Sequence, residues 1–153
     1  MTEETQSKTS PETTSGANSP PAMNKPKVIL SRATGNKWET KGLRSFLEYR
    51  NLGIEEATDG KFGGSISRAI QAKKAGDHAA MHYHTVGLHF TMVLRGWMRT
   101  YYDGLGEVIL NAGDCVTYSG EVVQAHTEHS DDFEVLQITM PAEFPTIQVE
   151  EKR

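Results

Sequence analysis

The sequence has one cysteine in 153 residues, no long apolar run and no excess of basic charge, and each of these lacks excludes a class of protein. Cys115 has no partner for an internal disulfide, so the fold must rest on packing, and the chain suits a reducing compartment; the expected location is the cytoplasm. Cys115 stands in an apolar–polar alternation with no cationic neighbours to hold a thiolate, and is expected to be a small core residue. Lys and Arg number 16 against 20 Asp and Glu, for a formal net charge of −4. The few basic doublets are scattered, which leaves no electrostatic footprint for nucleic acid or an anionic membrane. No apolar stretch approaches the length of a bilayer-spanning helix.

Residues 1–25 (MTEETQSKTSPETTSGANSPPAMNK) are nearly devoid of large apolar side chains. Such a segment cannot bury enough surface to offset its ordering entropy, and it lacks the apolar core of a signal peptide. The expectation is an unstructured tail over 1–25 followed by one folded domain over 26–153. Phosphate-binding glycine loops, a Gly-x-Ser-x-Gly elbow and a Cys-x-x-Cys pair are all missing, which removes the commonest nucleotide, serine-hydrolase and redox templates. The doublet Glu55-Glu56 falls in a predicted loop and reads as solvated.

The rest of the chain is a series of short β-type runs separated by turn chemistry. They begin with 27–31 (KVILS) and 43–51, continue through 65–72, 80–85, 88–95 and 97–102, and end with 108–110, 115–118, 124–129, 133–140 and 146–149. Asp103-Gly104-Leu105-Gly106 is a strong hairpin signal, because glycine supplies the positive φ that tight turns need. Roughly ten strands at 8–12-residue spacing, without a helical period, predict an all-β sandwich or barrel. Trp97, Tyr101 and Tyr102 read as hairpin core or subunit interface, and Trp38 has no legible role.

Against this background the histidines are concentrated. All six lie between His78 and His129. Successive side chains of a strand alternate in direction, so His82 and His84 share a face about 6.6 Å apart, with Tyr83 turned away. Two imidazoles so placed can lean onto one divalent ion. His89, His126 and Gln124 lie further along neighbouring strands, while His78 precedes its strand and His129 adjoins a polar turn at Ser130-Asp131-Asp132.

The pattern His82-x-His84, four residues, His89, then Gly96 resembles the first motif of the cupin family, and the Gly113-Asp114 turn with Tyr118-Ser119-Gly120 resembles the second. The resemblance covers residues 65–140. It implies a small antiparallel jelly-roll β-barrel, usually a homodimer, holding one divalent transition metal inside. His82 and His84 match the first two ligands of that family. His89 stands where the family usually has glutamate, so the site loses a carboxylate and gains a neutral imidazole. A mostly-histidine set favours Fe(II), Zn, Ni, Cu or Mn over Mg or Ca, and Fe(II) heads the expectation. For the fourth ligand the ungapped motif count lands on Gln124, while donor strength favours His126; both stay open.

Two functions follow from the resemblance. One is a metal-dependent enzyme acting on a small molecule, similar to non-heme iron dioxygenases, with isomerases and lyases on the same scaffold. Phe90, Met92, Val93 and Met140 are the candidates for an apolar pocket, and Tyr118 and Glu128 are guesses for a proton-transfer group. The alternative is a non-catalytic metal- or small-ligand-binding cupin, a sensor or storage module.

Overall fold

A computed structural model of the protein describes residues 25–35, 37–40, 46–71 and 80–149. The expected tail over 1–24, residues 43–45 and 72 of two expected strands, and His78 lie outside the described residues. Among the described residues, ten strands and one short helix follow in order: β1 (Leu47–Asn51), α1 (Ile54–Thr58), β2 (Gly63–Ala69), β3 (His82–His84), β4 (Val86–Arg95), β5 (Trp97–Tyr102), β6 (Gly106–Asn111), β7 (Cys115–Gly120), β8 (Gln124–His129), β9 (Glu134–Met140) and β10 (Thr146–Gln148). They form two five-stranded antiparallel sheets, ordered β1-β2-β9-β4-β7 and β10-β3-β8-β5-β6. The expected all-β jelly-roll barrel is therefore the observed architecture. Among the described residues, no helix is long and apolar enough to cross a membrane.

Turn chemistry explains how the strands are joined. The β5–β6 hairpin closes at 103–105, with Leu105 N–H donating to the Tyr102 carbonyl at 3.0 Å and Gly104 at φ 82°. Between β4 and β5 the chain reverses at Gly96, φ 65°, where an added Cβ would press on the Phe133 backbone. The neighbouring Trp97 N–H donates to Ser130 Oγ at 3.0 Å, so this reversal is tied to the β8–β9 turn. Asp114 accepts from the Asn111 N–H at 2.8 Å and so fixes the turn before β7.

Inward positions form layers across the first sheet. Val93 pairs with Val135, Thr91 with Gln137 and His89 with Thr139, so one register carries the interior from apolar to polar within three steps. At the apolar end Leu47, Val93, Met98, Phe133 and Val135 form the core. Burying such side chains is worth about 1.5–3 kcal/mol each.

Three expectations fail. Residues 27–31 are not a strand, and Val28 is 96 % exposed. The edge of β1 is already taken at Tyr49, which exchanges two 2.9 Å backbone hydrogen bonds with Glu39, and strand propensity yields a strand only where an edge offers a partner. The 27–31 segment is held instead by side-chain contacts, among them Lys27 Nζ to Asp59 and Ser31 Oγ to the Asn51 carbonyl. Cys115 is exposed and not a core residue, because it sits opposite Met92 in the β4–β7 ladder and turns outward, while Val116 and Tyr118 turn in. Glu55-Glu56 lies in α1 and not in a loop, though both side chains are exposed as expected. Trp38 gains a structural role, since the Arg68 guanidinium stacks 3.9 Å over its ring and Arg50 lies 5.8 Å away.

Candidate functional site

A cavity of about 620 Å³ opens at the polar end of the barrel, within the range usual for small-molecule sites. His82 and His84 reach it from β3, His89 from β4 and His126 from β8. Tyr83, between the first two, does not line it. The same-face placement of His82 and His84 follows from strand alternation, and their ring centroids lie 4.9 Å apart.

His89 joins them through an irregularity. It is five residues beyond His84, so strict alternation would turn it to the opposite face. The β4–β7 register shifts between Val86 and His89, with one more residue on β4 than on β7, and this carries His89 inward to 4 % exposure. Its ring then lies parallel to His84 at 5.6 Å and 5°, and to Tyr118 at 4.8 Å and 7°. Phe144 closes on the edge of His84 at 4.9 Å.

Each of these three imidazoles is oriented at Nδ1. His82 Nδ1 donates to the Ala80 carbonyl at 2.9 Å, which places the lone pair of the neutral ring on Nε2. His84 Nδ1 lies 3.0 Å from Thr146 Oγ1, and His89 Nδ1 lies 3.3 Å from Thr91 Oγ1. Partners of this kind fix ring orientation in metal centres.

Gln124 and His126 share a face of β8 and are both buried. Gln124 pairs directly opposite His82 and donates its amide to the Tyr118 hydroxyl at 2.7 Å. It lines a smaller space of about 30 Å³ that also touches His84, His89 and His126, and it does not reach the large cavity. His126 borders both.

Sequence reasoning misplaced His129. Far from lying in a solvated turn, it is 2 % exposed and its Nδ1 lies 3.1 Å from His126 Nε2. The cause is a β-bulge: Arg99 pairs with Glu128 but Thr100 pairs with His126, so Thr127 is an extra residue on β8. His126 and His129, three apart, thereby face the same interior. No residue pattern announces that bulge, though the two polar residues Thr127 and Glu128 between two histidines are a reason to question regular alternation. The apolar-pocket candidates also fail as a group, since Phe90, Met92, Val93 and Met140 do not line the cavity. Val93 belongs to the core, and Met140 is 38 % exposed. The aromatic lining comes instead from Phe46, Tyr49 and Phe144. Of the two proton-transfer guesses, Tyr118 stacks on His89, whereas Glu128 is held outside by Arg99 at 3.1 Å.

Among the described residues, no three His, Cys, Asp or Glu side chains converge as a metal site. The parallel stacking of His84 on His89 is one reason, because stacked rings hold their in-plane lone pairs in separate planes and do not direct them to one point. The donor chemistry nevertheless fits a borderline divalent ion: four imidazoles border one cavity, three of them anchored at Nδ1.

No family model matches the sequence, and no curated protein does either. Solved structures do match by shape. The polyketide cyclase RemF from Streptomyces resistomycificus superposes with a TM-score of 0.64 at 17 % identity, covering 83 % of this chain and 89 % of its own. An RmlC-like cupin from Shewanella frigidimarina gives 0.55 at 15 %, covering 76 % and 94 %. HppE in its Fe(II) form gives 0.56 at 16 %, covering 74 % of this chain and 60 % of that one. At these identities the likeness speaks to shape, and it agrees with the two facing sheets and the strand order described above. The protein folds as a cupin.

Proposed function

We propose that this protein binds one divalent transition metal through His82, His84 and His89, with His126 at the fourth position, and acts on a small organic molecule in the same cavity. The observation that carries this reading is the shared cavity: four histidines from three strands border one space, and three of them are anchored at Nδ1. Gln124 is the weaker candidate for the fourth position, because its amide is engaged by Tyr118 and it sits below the cavity. HppE, a neighbour in fold, holds Fe(II), which is consistent with iron at the head of the list. When bound, such an ion supplies Lewis acidity or dioxygen chemistry.

The chain's own residues define the rest of the pocket. Phe46, Tyr49 and Phe144 offer flat apolar surfaces, while Asn51, Ser65 and Gln137 offer hydrogen-bonding groups. That mixture suits a molecule with an apolar ring bearing hydroxyl or carbonyl groups. A second reading, a binding module without turnover, is favoured by the parallel stack of His84, His89 and Tyr118, which needs no metal to persist.

Metal analysis of protein purified under reducing, chelator-free conditions tests the proposal. Stoichiometric metal in the wild type, falling at least tenfold in His82→Ala and His84→Ala, is the expected result. A wild type without metal sinks it. Oxygen uptake with Fe(II) and a panel of diketones, thiols and catechols then separates enzyme from binder.

A further inference from the structure

His126 and His129 form a buried pair whose hydrogen bonds have a fixed direction. His129 Nε2 lies 3.0 Å from the carbonyl oxygen of Gln71. A carbonyl only accepts, so this nitrogen carries the proton and donates. The other ring nitrogen, Nδ1, lies 3.1 Å from His126 Nε2, a contact that needs one donor and one acceptor. The His129 ring sits between Phe46 and Phe133, with centroids 5.5 and 5.1 Å away and tilts of 34° and 28°. An apolar sleeve of this kind favours the neutral ring. Neutral His129, already protonated at Nε2, offers a lone pair at Nδ1. His126 Nε2 is therefore the donor, and the lone pair of His126 falls on Nδ1.

We propose that His129 is a positioning residue that holds His126 in the Nε2–H tautomer, so that His126 presents Nδ1 as its lone-pair nitrogen. His82 carries the opposite arrangement, because its Nδ1 donates to the Ala80 carbonyl and its lone pair is on Nε2. The two strands that bring these histidines to one cavity thus supply imidazoles of opposite tautomer. The bulge at Thr127 makes this possible by turning His129 to the same side as His126. The tautomer follows from the hydrogen bonds together with the aromatic sleeve that keeps His129 neutral; its consequence for a metal rests on the proposed function.

Long-range proton–nitrogen correlation spectra of the full, metal-free chain distinguish the two imidazole tautomers, and His126→Gln assigns the resonances. The expected wild-type result is a single His126 form protonated at Nε2. His129→Phe keeps a ring in the sleeve but removes the acceptor; it is expected to convert His126 to a mixture of tautomers and weaken zinc(II) binding about tenfold. His129→Asn retains an acceptor and should restore both. A wild-type His126 protonated at Nδ1, or a His126 tautomer that is unchanged in His129→Phe, overturns the proposal. If the wild type shows the expected tautomer and yet binds no zinc, the positioning role stands and the metal reading falls.

Discussion

The two ends of this barrel are built on the same strands and differ in almost everything else. β4 contributes Val93 to one end and His89 to the other, with Thr91 between them, and the antiparallel β9 matches these layers with Val135, Thr139 and, between them, Gln137. The Val93 end is a closed apolar cluster. The His89 end is an open cavity bordered by imidazoles, amides and aromatic rings. Polarity changes by layer and not by strand, so stability and chemistry are separable along the barrel axis. A substitution in one layer should disturb one property and spare the other.

The largest effect should come from the apolar end. Leu47→Ala removes a fully buried side chain and is expected to cost about 2–5 kcal/mol in urea denaturation while leaving zinc stoichiometry intact. His84→Ala should do the reverse, abolishing metal at a stability cost under about 1 kcal/mol. Equal stability losses in the two variants would break the separation. A smaller effect tests the anchoring of the imidazoles. Thr146→Val removes the hydroxyl 3.0 Å from His84 Nδ1 and is expected to weaken metal affinity about tenfold in a chelator competition, with unfolding unchanged. Unaltered affinity would show that stacking on His89 and the edge contact with Phe144, and not this hydrogen bond, orient the ring.

The smallest effect lies outside the barrel. Arg99 donates to Glu107 at 2.9 Å and to Glu128 at 3.1 Å, and the two carboxylates, Glu107 foremost, raise the guanidinium above its ordinary pKa. Its protonated form is favoured in the fold, so on the alkaline side this contribution fades only where arginine itself would titrate. Exposed ion pairs contribute little, and Arg99→Gln should shift neither the denaturation midpoint nor zinc binding measurably. A clear loss of zinc binding would mean that the ion pair beside Thr127 holds the bulge and, through it, the histidine pair.

Much of the fold was legible in the sequence because period-two patterning and glycine turns are local signals. β5 and β8 fall on residues 97–102 and 124–129 as read, and the hairpin at Asp103-Gly104 is where the turn chemistry put it. The pairing of His82 with His84 was equally local. What escaped was everything that depends on how strands meet. Segment 27–31 has strand composition but no edge to join. Cys115 follows the alternation faithfully, yet which face is interior is decided by β4 alongside it. His129 is turned inward by a register shift, which arises between two strands and leaves no mark on either alone; His89 is turned inward by another, and there only the motif resemblance pointed to the site.

The single extra residue at Thr127 has a consequence for how this sequence can change over time. Deleting it would shorten β8 by one position, and the change would be local. His126, Glu128 and His129 would then stand opposite Thr100, Arg99 and Met98 in regular alternation, so both histidines would still face inward and Glu128 outward. Point substitutions there should be mild, because the Thr127 side chain is only half-buried. A deletion at this codon should be tolerated as well, and a relative without the bulge would carry the counterparts of His126 and His129 two positions apart, so an alignment must open its gap at Thr127 to match both.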